Sequence, residues 1–301
     1  MSNIQTVNRK QNKKLKVEVG KSRLRSYKWL LLRRVTQLSI LSVFLLGPLF
    51  GIWIIKGNMS SSVLFNTIHL TDPFVFLQTL AAGMMAENTL TIGAVTVAVL
   101  YFLLGGRVYC SWVCPINIVT DLADWLRRKL NIKSRLTLSR NNRNLILMAV
   151  LLAALFTGTL AWELINPVTL IQRELVFGMG LAWVFVLGIF ILDLLISRRA
   201  WCGHLCPMGK FYSLLGEYSF IRVNAVQREH CNDCMDCYAV CPEPQVIKPA
   251  LKGDAFSSPV ILSGDCTNCG QCIDICAQDV FSLGPRFITK KSETSQSGVS
   301  S

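Results

Sequence analysis

Eight of the twelve cysteines fall into two copies of one run. The first is Cys231-x2-Cys234-x2-Cys237-x3-Cys241-Pro242, and the second is Cys266-x2-Cys269-x2-Cys272-x3-Cys276-Ala277. Three closely spaced thiolates suit three irons of one [4Fe–4S] cube, and in runs of this spacing the fourth cysteine reaches the other cluster. Cys231, Cys234, Cys237 and Cys276 are therefore expected to hold one cluster, and Cys266, Cys269, Cys272 and Cys241 the second. Zinc would pair its ligands as two separated knuckles, not as a triple C-x2-C-x2-C. Disulfides would need an oxidising compartment. The chemistry expected of these residues is the transfer of single electrons. Ala277 stands where the first run has Pro242; that proline only shapes the turn after a ligand, so the second cluster is expected all the same.

The other four cysteines repeat as well. Arg107-Val-Tyr-Cys110-Ser-Trp-Val-Cys114-Pro115 is matched by Arg199-Ala-Trp-Cys202-Gly-His-Leu-Cys206-Pro207. Upstream of each lies a second matching phrase, Asp72-Pro73 through Gln78 and Asn166-Pro167 through Gln172. Spacing of i, i+4 puts both sulfurs of each pair on one face of a helix, and the proline suits the first position of a new helix. Three readings stay open for Cys110, Cys114, Cys202 and Cys206: one further thiolate-bound metal centre, dithiol–disulfide couples, or plain buried cysteines.

These motifs hang on an apolar scaffold. Four runs approach the roughly 20 residues that cross a bilayer: Val35–Ile55, Met85–Leu104, Leu145–Ile165 and Leu175–Ile196. Eleven Lys or Arg precede the first run and eight separate the second from the third, but only Lys56 and Arg173 occupy the other two connections. The positive-inside rule then predicts cytoplasmic N- and C-termini in a bacterial inner membrane, with the poorly charged turns outside. The formal net charge of +13 is explained by that orientation and by anionic lipid, without nucleic acid. Arg33-Arg34 suggests a twin-arginine signal, but the long apolar run after it has no A-x-A cleavage site and reads as an uncleaved helix.

The expected fold is an all-α membrane bundle of four transmembrane helices joined to a small α+β domain for two [4Fe–4S] clusters. Its parts are a basic cytoplasmic segment (1–34), the repeated membrane domain (35–222), the cytoplasmic two-cluster domain (223–288) and a disordered polar tail (289–301). Parallel repeats related by an axis along the membrane normal would bring the four repeat cysteines together under the bundle. Ile116–Leu130 is expected to lie as an amphipathic helix on the inner face. Glu87, Glu163 and Asp193 lie in or beside the spans, where carboxylates are costly; Asp193 is within reach of Arg198 or Arg199. No C-x-x-C-H occurs and no span carries a His, which excludes c-type and bis-His haem. No dinucleotide fingerprint or phosphate loop is present.

Taken together, the four spans, the two R-x-aromatic-C-x3-C-P repeats and the phrase Cys241-Pro242-Glu243-Pro244 resemble the polyferredoxin family. The resemblance is strongest to the membrane ferredoxin-type, quinol dehydrogenase component of periplasmic nitrate reductase systems. It covers roughly residues 25 to 285. It implies a protein that takes electrons from the quinol pool and passes them, through a periplasmic ferredoxin subunit and a multihaem c-type cytochrome, towards nitrate reductase. The wider family also serves nitrous oxide reduction and copper oxidase assembly, so electron supply for building a metal centre is the alternative. A membrane scaffold with structural clusters is a third. The topology poses a problem: the clusters are expected inside and the final acceptor outside.

Overall fold

The computed structural model describes residues 25–85, 87–132, 136, 138–178, 180–253 and 258–287. Most of the basic N-terminal segment, Lys133 and the polar tail lie outside the described residues.

The first repeat contains α1 (Lys28–Phe50), an antiparallel meander of β1 (Ile55–Gly57), β2 (Ser61–Leu64) and β3 (Ile68–Thr71), then α2 (Pro73–Ala81) and α3 (Asn88–Leu104). A wide π turn, Tyr109–Val113, leads to α4 (Ile116–Lys129). Among the described residues, the second repeat follows the same plan without a sheet. It has α5 (Asn142–Thr157), α6 (Pro167–Phe177), α7 (Leu181–Ile191), a second π turn (Trp201–Leu205) and α8 (Pro207–Gly216). The meander departs from the all-α expectation for this part of the chain.

The short helices α2 and α6 begin alike. Asp72 accepts the Phe74 and Val75 N–H groups, and Asn166 accepts that of Val168. Each thereby satisfies helix-end donors that have no partner within the helix. Proline fills the first helical position of both, where its missing N–H costs nothing. The two glutamines cross between repeats: Gln78 accepts the Trp162 N–H at 3.1 Å, and Gln172 that of Met59 at 3.0 Å. Each amide thus holds the connection that feeds the other repeat's short helix.

The long helices turn apolar side chains outward. Leu38 on α1, Val95 on α3, Leu155 on α5 and Val184 on α7 are all more than half exposed. Among the described residues only α1 is long and apolar enough by itself to cross a membrane. α3 and α5 have 17 and 16 residues, which at about 1.5 Å each fall short of a hydrocarbon core of about 30 Å. The apolar runs outlast the helices because glycines in left-handed conformation end them, Gly51 after α1 and Gly158 after α5. Hydropathy marks what avoids water; the C-cap decides where helical hydrogen bonding stops.

The C-terminal part holds β4 (Ile221–Asn224), α9 (Asp236–Val240), α10 (Ile247–Lys252), α11 (Gln271–Ile275) and β5 (Ser282–Pro285). β4 and β5 pair antiparallel, with Ile221 opposite Pro285, and so tie the two ends of this part together. Val223, Ile247, Leu251, Ile261 and Phe281 form its core. It is seated against the repeats at close range. Gly264 lies so near α8 that a Cβ there would sit 2.0 Å from the Ser213 carbonyl oxygen, a contact only glycine permits.

Candidate functional site

The two cysteine runs fold the same way. Asp233 and Asn268, each two residues after the first cysteine, take left-handed conformations, as do Met235 and Gly270 just before the short helices α9 and α11. These reversals wrap the first three cysteines around a common point. The helix then stops, and Cys241 and Cys276 become extended. Pro242 enforces this for Cys241, since the residue before proline avoids helical geometry. Cys276 takes the same conformation before Ala277.

One hollow, of about 20 Å³, is lined by Cys231, Cys234, Cys237 and Cys276. A second, also of about 20 Å³, is lined by Cys241, Cys266, Cys269 and Cys272. Each hollow therefore draws three cysteines from one run and the fourth from the other. Among the described residues, no three His, Cys, Asp or Glu side chains draw together tightly enough to hold a single metal ion. Donors set around a hollow fit a multi-iron cluster better than zinc. Burial pushes the Cys266 thiol up to about 11, a cost that metal coordination would remove by holding the sulfur as thiolate.

Cys110, Cys114, Cys202 and Cys206 line a third hollow, of about 30 Å³. Their local geometry differs from the helical i, i+4 expectation. The Cys114 N–H bonds to Tyr109 at 3.0 Å and the Cys206 N–H to Trp201 at 2.9 Å, spans of five residues that make a π turn. The following prolines hold Cys114 and Cys206 extended, so the second cysteine of each pair leaves the helical face.

Buried ion pairs seat the C-terminal part on the repeats. Arg107 donates to Glu243 at 2.8 Å and to the Asp265 and Cys202 carbonyls. Arg140 also pairs with Glu243, and Arg143 with Asp265. Burial would raise the Glu243 carboxyl, but Arg107, Arg140 and Arg143 outweigh it and hold it at about 2. Two further side chains cap helices across the junction. Asp274 accepts the Trp29 and Leu30 N–H groups at the start of α1, where the helix dipole favours an anion. Asn268 donates to the Leu104 carbonyl at the end of α3. The Ser111 hydroxyl donates to the Thr267 carbonyl, and the Trp112 indole to that of Asn268.

α4 is amphipathic, and its polar face meets protein instead of water. Thr120, Asp124 and Arg127 are buried, whereas Leu122 and Trp125 are about half exposed. Asp121 binds Arg33, Arg34 and Arg199, and Asp124 binds Arg198. Asp193 consequently makes no salt bridge with Arg198 or Arg199. It accepts the Trp201 N–H at 2.9 Å, while the two arginines go to α4. Glu163 accepts from Ser60 and Asn166, and Glu87 caps α3 without a side-chain bond. Between α1, α4 and the C-terminal part lies a cavity of about 390 Å³. Leu30, Ile118 and Trp125 line it, as do Val240 and Ile275, each adjacent in sequence to a cysteine of the lined hollows.

Sequence reasoning missed the junction residues. Glu243, Asp265, Asn268 and Asp274 all sit within the cysteine runs or next to them, where the cysteine spacing points to ligation alone. A signal existed in Arg107 and Arg199, basic residues three positions ahead of the first cysteine in both repeats.

A family model described as a 4Fe-4S binding domain matches residues 89–133 and again 179–223, and one described as a 4Fe-4S dicluster domain matches residues 230–292. The chain is 47% identical to the ferredoxin-type protein NapH of Escherichia coli, over 87% of this chain and 91% of that one. It is 51% identical to the methylamine utilization ferredoxin-type protein MauN of Paracoccus denitrificans, over 88% and 93%. The corresponding figures for NapH of Haemophilus influenzae are 48%, 86% and 91%. No solved structure matches the chain.

Proposed function

The chain belongs to the NapH and MauN family of iron–sulfur, ferredoxin-type electron-transfer proteins, and from that premise we propose that it takes electrons from membrane quinol and delivers them through partner redox proteins towards a periplasmic nitrate reductase. Cys231, Cys234, Cys237 and Cys276 hold one [4Fe–4S] cluster, and Cys241, Cys266, Cys269 and Cys272 hold the other. The observation that carries this is the pair of similar hollows, each lined by four cysteines, three from one run and one from the other. Each bound cluster supplies a one-electron couple somewhere between about −700 and +450 mV.

The outward apolar faces of α1, α3, α5 and α7 support a bilayer location, since soluble monomers rarely expose such continuous apolar surface. The exposed Leu122 and Trp125 continue that surface onto α4, as an interfacial helix would. The cavity beside α4 is the candidate quinol site. Its volume lies in the range of small-molecule pockets, and Leu30, Ile118, Leu122 and Trp125 give it an apolar side while Asp121, Arg34 and Arg199 give it a charged one. The two arginines, which donate but cannot take up a proton, would hold the quinol oxygens, and the two protons released on oxidation would leave to solvent. The partners on this reading are the quinol pool, a periplasmic ferredoxin subunit and a multihaem c-type cytochrome. Similarity to MauN at 51% favours a second reading, in which the same electrons serve methylamine utilization.

The test is reduction of the anaerobically purified full-length protein by a short-chain quinol. Bleaching of the visible iron–sulfur absorbance, with a paramagnetic signal in frozen samples, is expected. Clusters that dithionite reduces but quinol never does, with or without periplasmic partners, would refute the reading.

A further inference from the structure

The three cysteine hollows are alike in construction. Each is lined by four cysteines, each draws those four from two copies of a repeated motif, and their volumes are about 20, 20 and 30 Å³. In the third, every one of the six pairs among Cys110, Cys114, Cys202 and Cys206 lies within electrostatic reach. The π turns and the prolines after them produce this. Held extended, Cys114 and Cys206 leave the helical face, and each interacts with cysteines of the opposite repeat as well as with its own partner. None of the twelve cysteines is joined to another by a disulfide. From this geometry we propose that Cys110, Cys114, Cys202 and Cys206 together bind a single [4Fe–4S] cluster, one centre shared by the two repeats.

The rest of the hollow suits a buried anionic cluster. Asn166, Pro167 and Val168, the start of α6, form part of its wall, so the positive end of an 11-residue helix lines it. Arg107 interacts electrostatically with Cys110 on one side and with Cys266 of the C-terminal part on the other. Cys272 likewise lies within reach of Cys237. The three hollows therefore form a series: the Cys231 quartet, the Cys241 quartet, then the repeat quartet. In the wall of the last, Trp201 stacks on Trp162 with ring centres 6.4 Å apart, and Trp162 lies on the connection leading to α6.

This series addresses the problem of clusters inside and an acceptor outside. The shared cluster would take one electron from a reduced centre of the C-terminal part and give one electron to a haem or iron–sulfur partner on the outer side, with no proton moved. That direction of flow rests on the quinol reading; the existence of the cluster does not.

Iron and acid-labile sulfide in the anaerobically purified full-length protein test it. About twelve irons and twelve sulfides per chain are expected, four for each cubane. Cys206→Ser should lower the iron to about eight while the paramagnetic signals of the other two clusters persist. Cys231→Ser/Cys234→Ser, changes that line the first hollow and not the repeat hollow, should also leave about eight, with the repeat cysteines still protected from alkylation. About eight irons in the parent protein, with Cys110 and Cys202 freely alkylated, would overturn the proposal. About ten irons would overturn its four-iron identity. Failure of quinol to reduce a twelve-iron protein would refute the quinol reading alone.

Discussion

The guanidinium of Arg107, three residues ahead of Cys110, donates to the carboxylate of Glu243, two residues past Cys241, at 2.8 Å. Both side chains are at most 3% exposed. One ion pair therefore joins a repeat motif to a cysteine run more than a hundred residues away in sequence.

Replacing Glu243 by Gln leaves Arg107, Arg140 and Arg143 facing one another without their shared anion. Breaking a buried pair from one side costs about 3–5 kcal/mol. Glu243→Gln should lower the midpoint of thermal unfolding of the detergent-solubilised protein and loosen the C-terminal part first, seen as faster proteolysis at the 217–223 connection. An unchanged midpoint and cleavage pattern would show that the ion pairs do not seat the domain.

The same carboxylate sets a pH dependence. Glu243 is held at about 2, below its ordinary value of 4.5. Its stabilisation is complete above pH 4.5 and is lost as pH falls from there towards 2, because the unfolded chain takes up the proton first. The stability gap between the parent and Glu243→Gln should stay flat from about pH 8 to about pH 5 and narrow below that. A gap that widens on acidification would contradict the sign.

The crossed grouping of the runs predicts which double substitutions are redundant. Cys231→Ser with Cys276→Ser should cost about four irons, no more than either alone, since both serve one cubane. Cys266→Ser with Cys276→Ser should cost about eight. The reverse pattern in iron analysis would assign each cluster to a single run.

Charge asymmetry predicts the orientation. Reporter fusions after Ser301 and after Lys133 should be active as cytoplasmic fusions, and those near Asn66, in the turn between β2 and β3, as external ones. A C-terminal reporter active only outside the cell would invert the whole arrangement.

The sequence by itself determined the chemistry. Cysteine spacing is local, and a C-x2-C-x2-C-x3-C run carries its ligand geometry in a dozen residues, so the expected ligands could be named from the chain alone. The repeat of Arg107–Pro115 in Arg199–Pro207 and the four apolar runs were equally legible, because each is written in consecutive residues. Tertiary structure decided what depends on residues far apart. The fate of Asp193 hinged on α4, whose Asp121 and Asp124 claimed Arg198 and Arg199. The burial of the polar face of α4 followed from a partner surface that no window of sequence contains. The π turns at Cys110 and Cys202 arose where a helix must end at a proline and yet meet the other repeat. Whether four separated cysteines enclose one space is a property of how two repeats pack, and packing is settled by the whole chain at once.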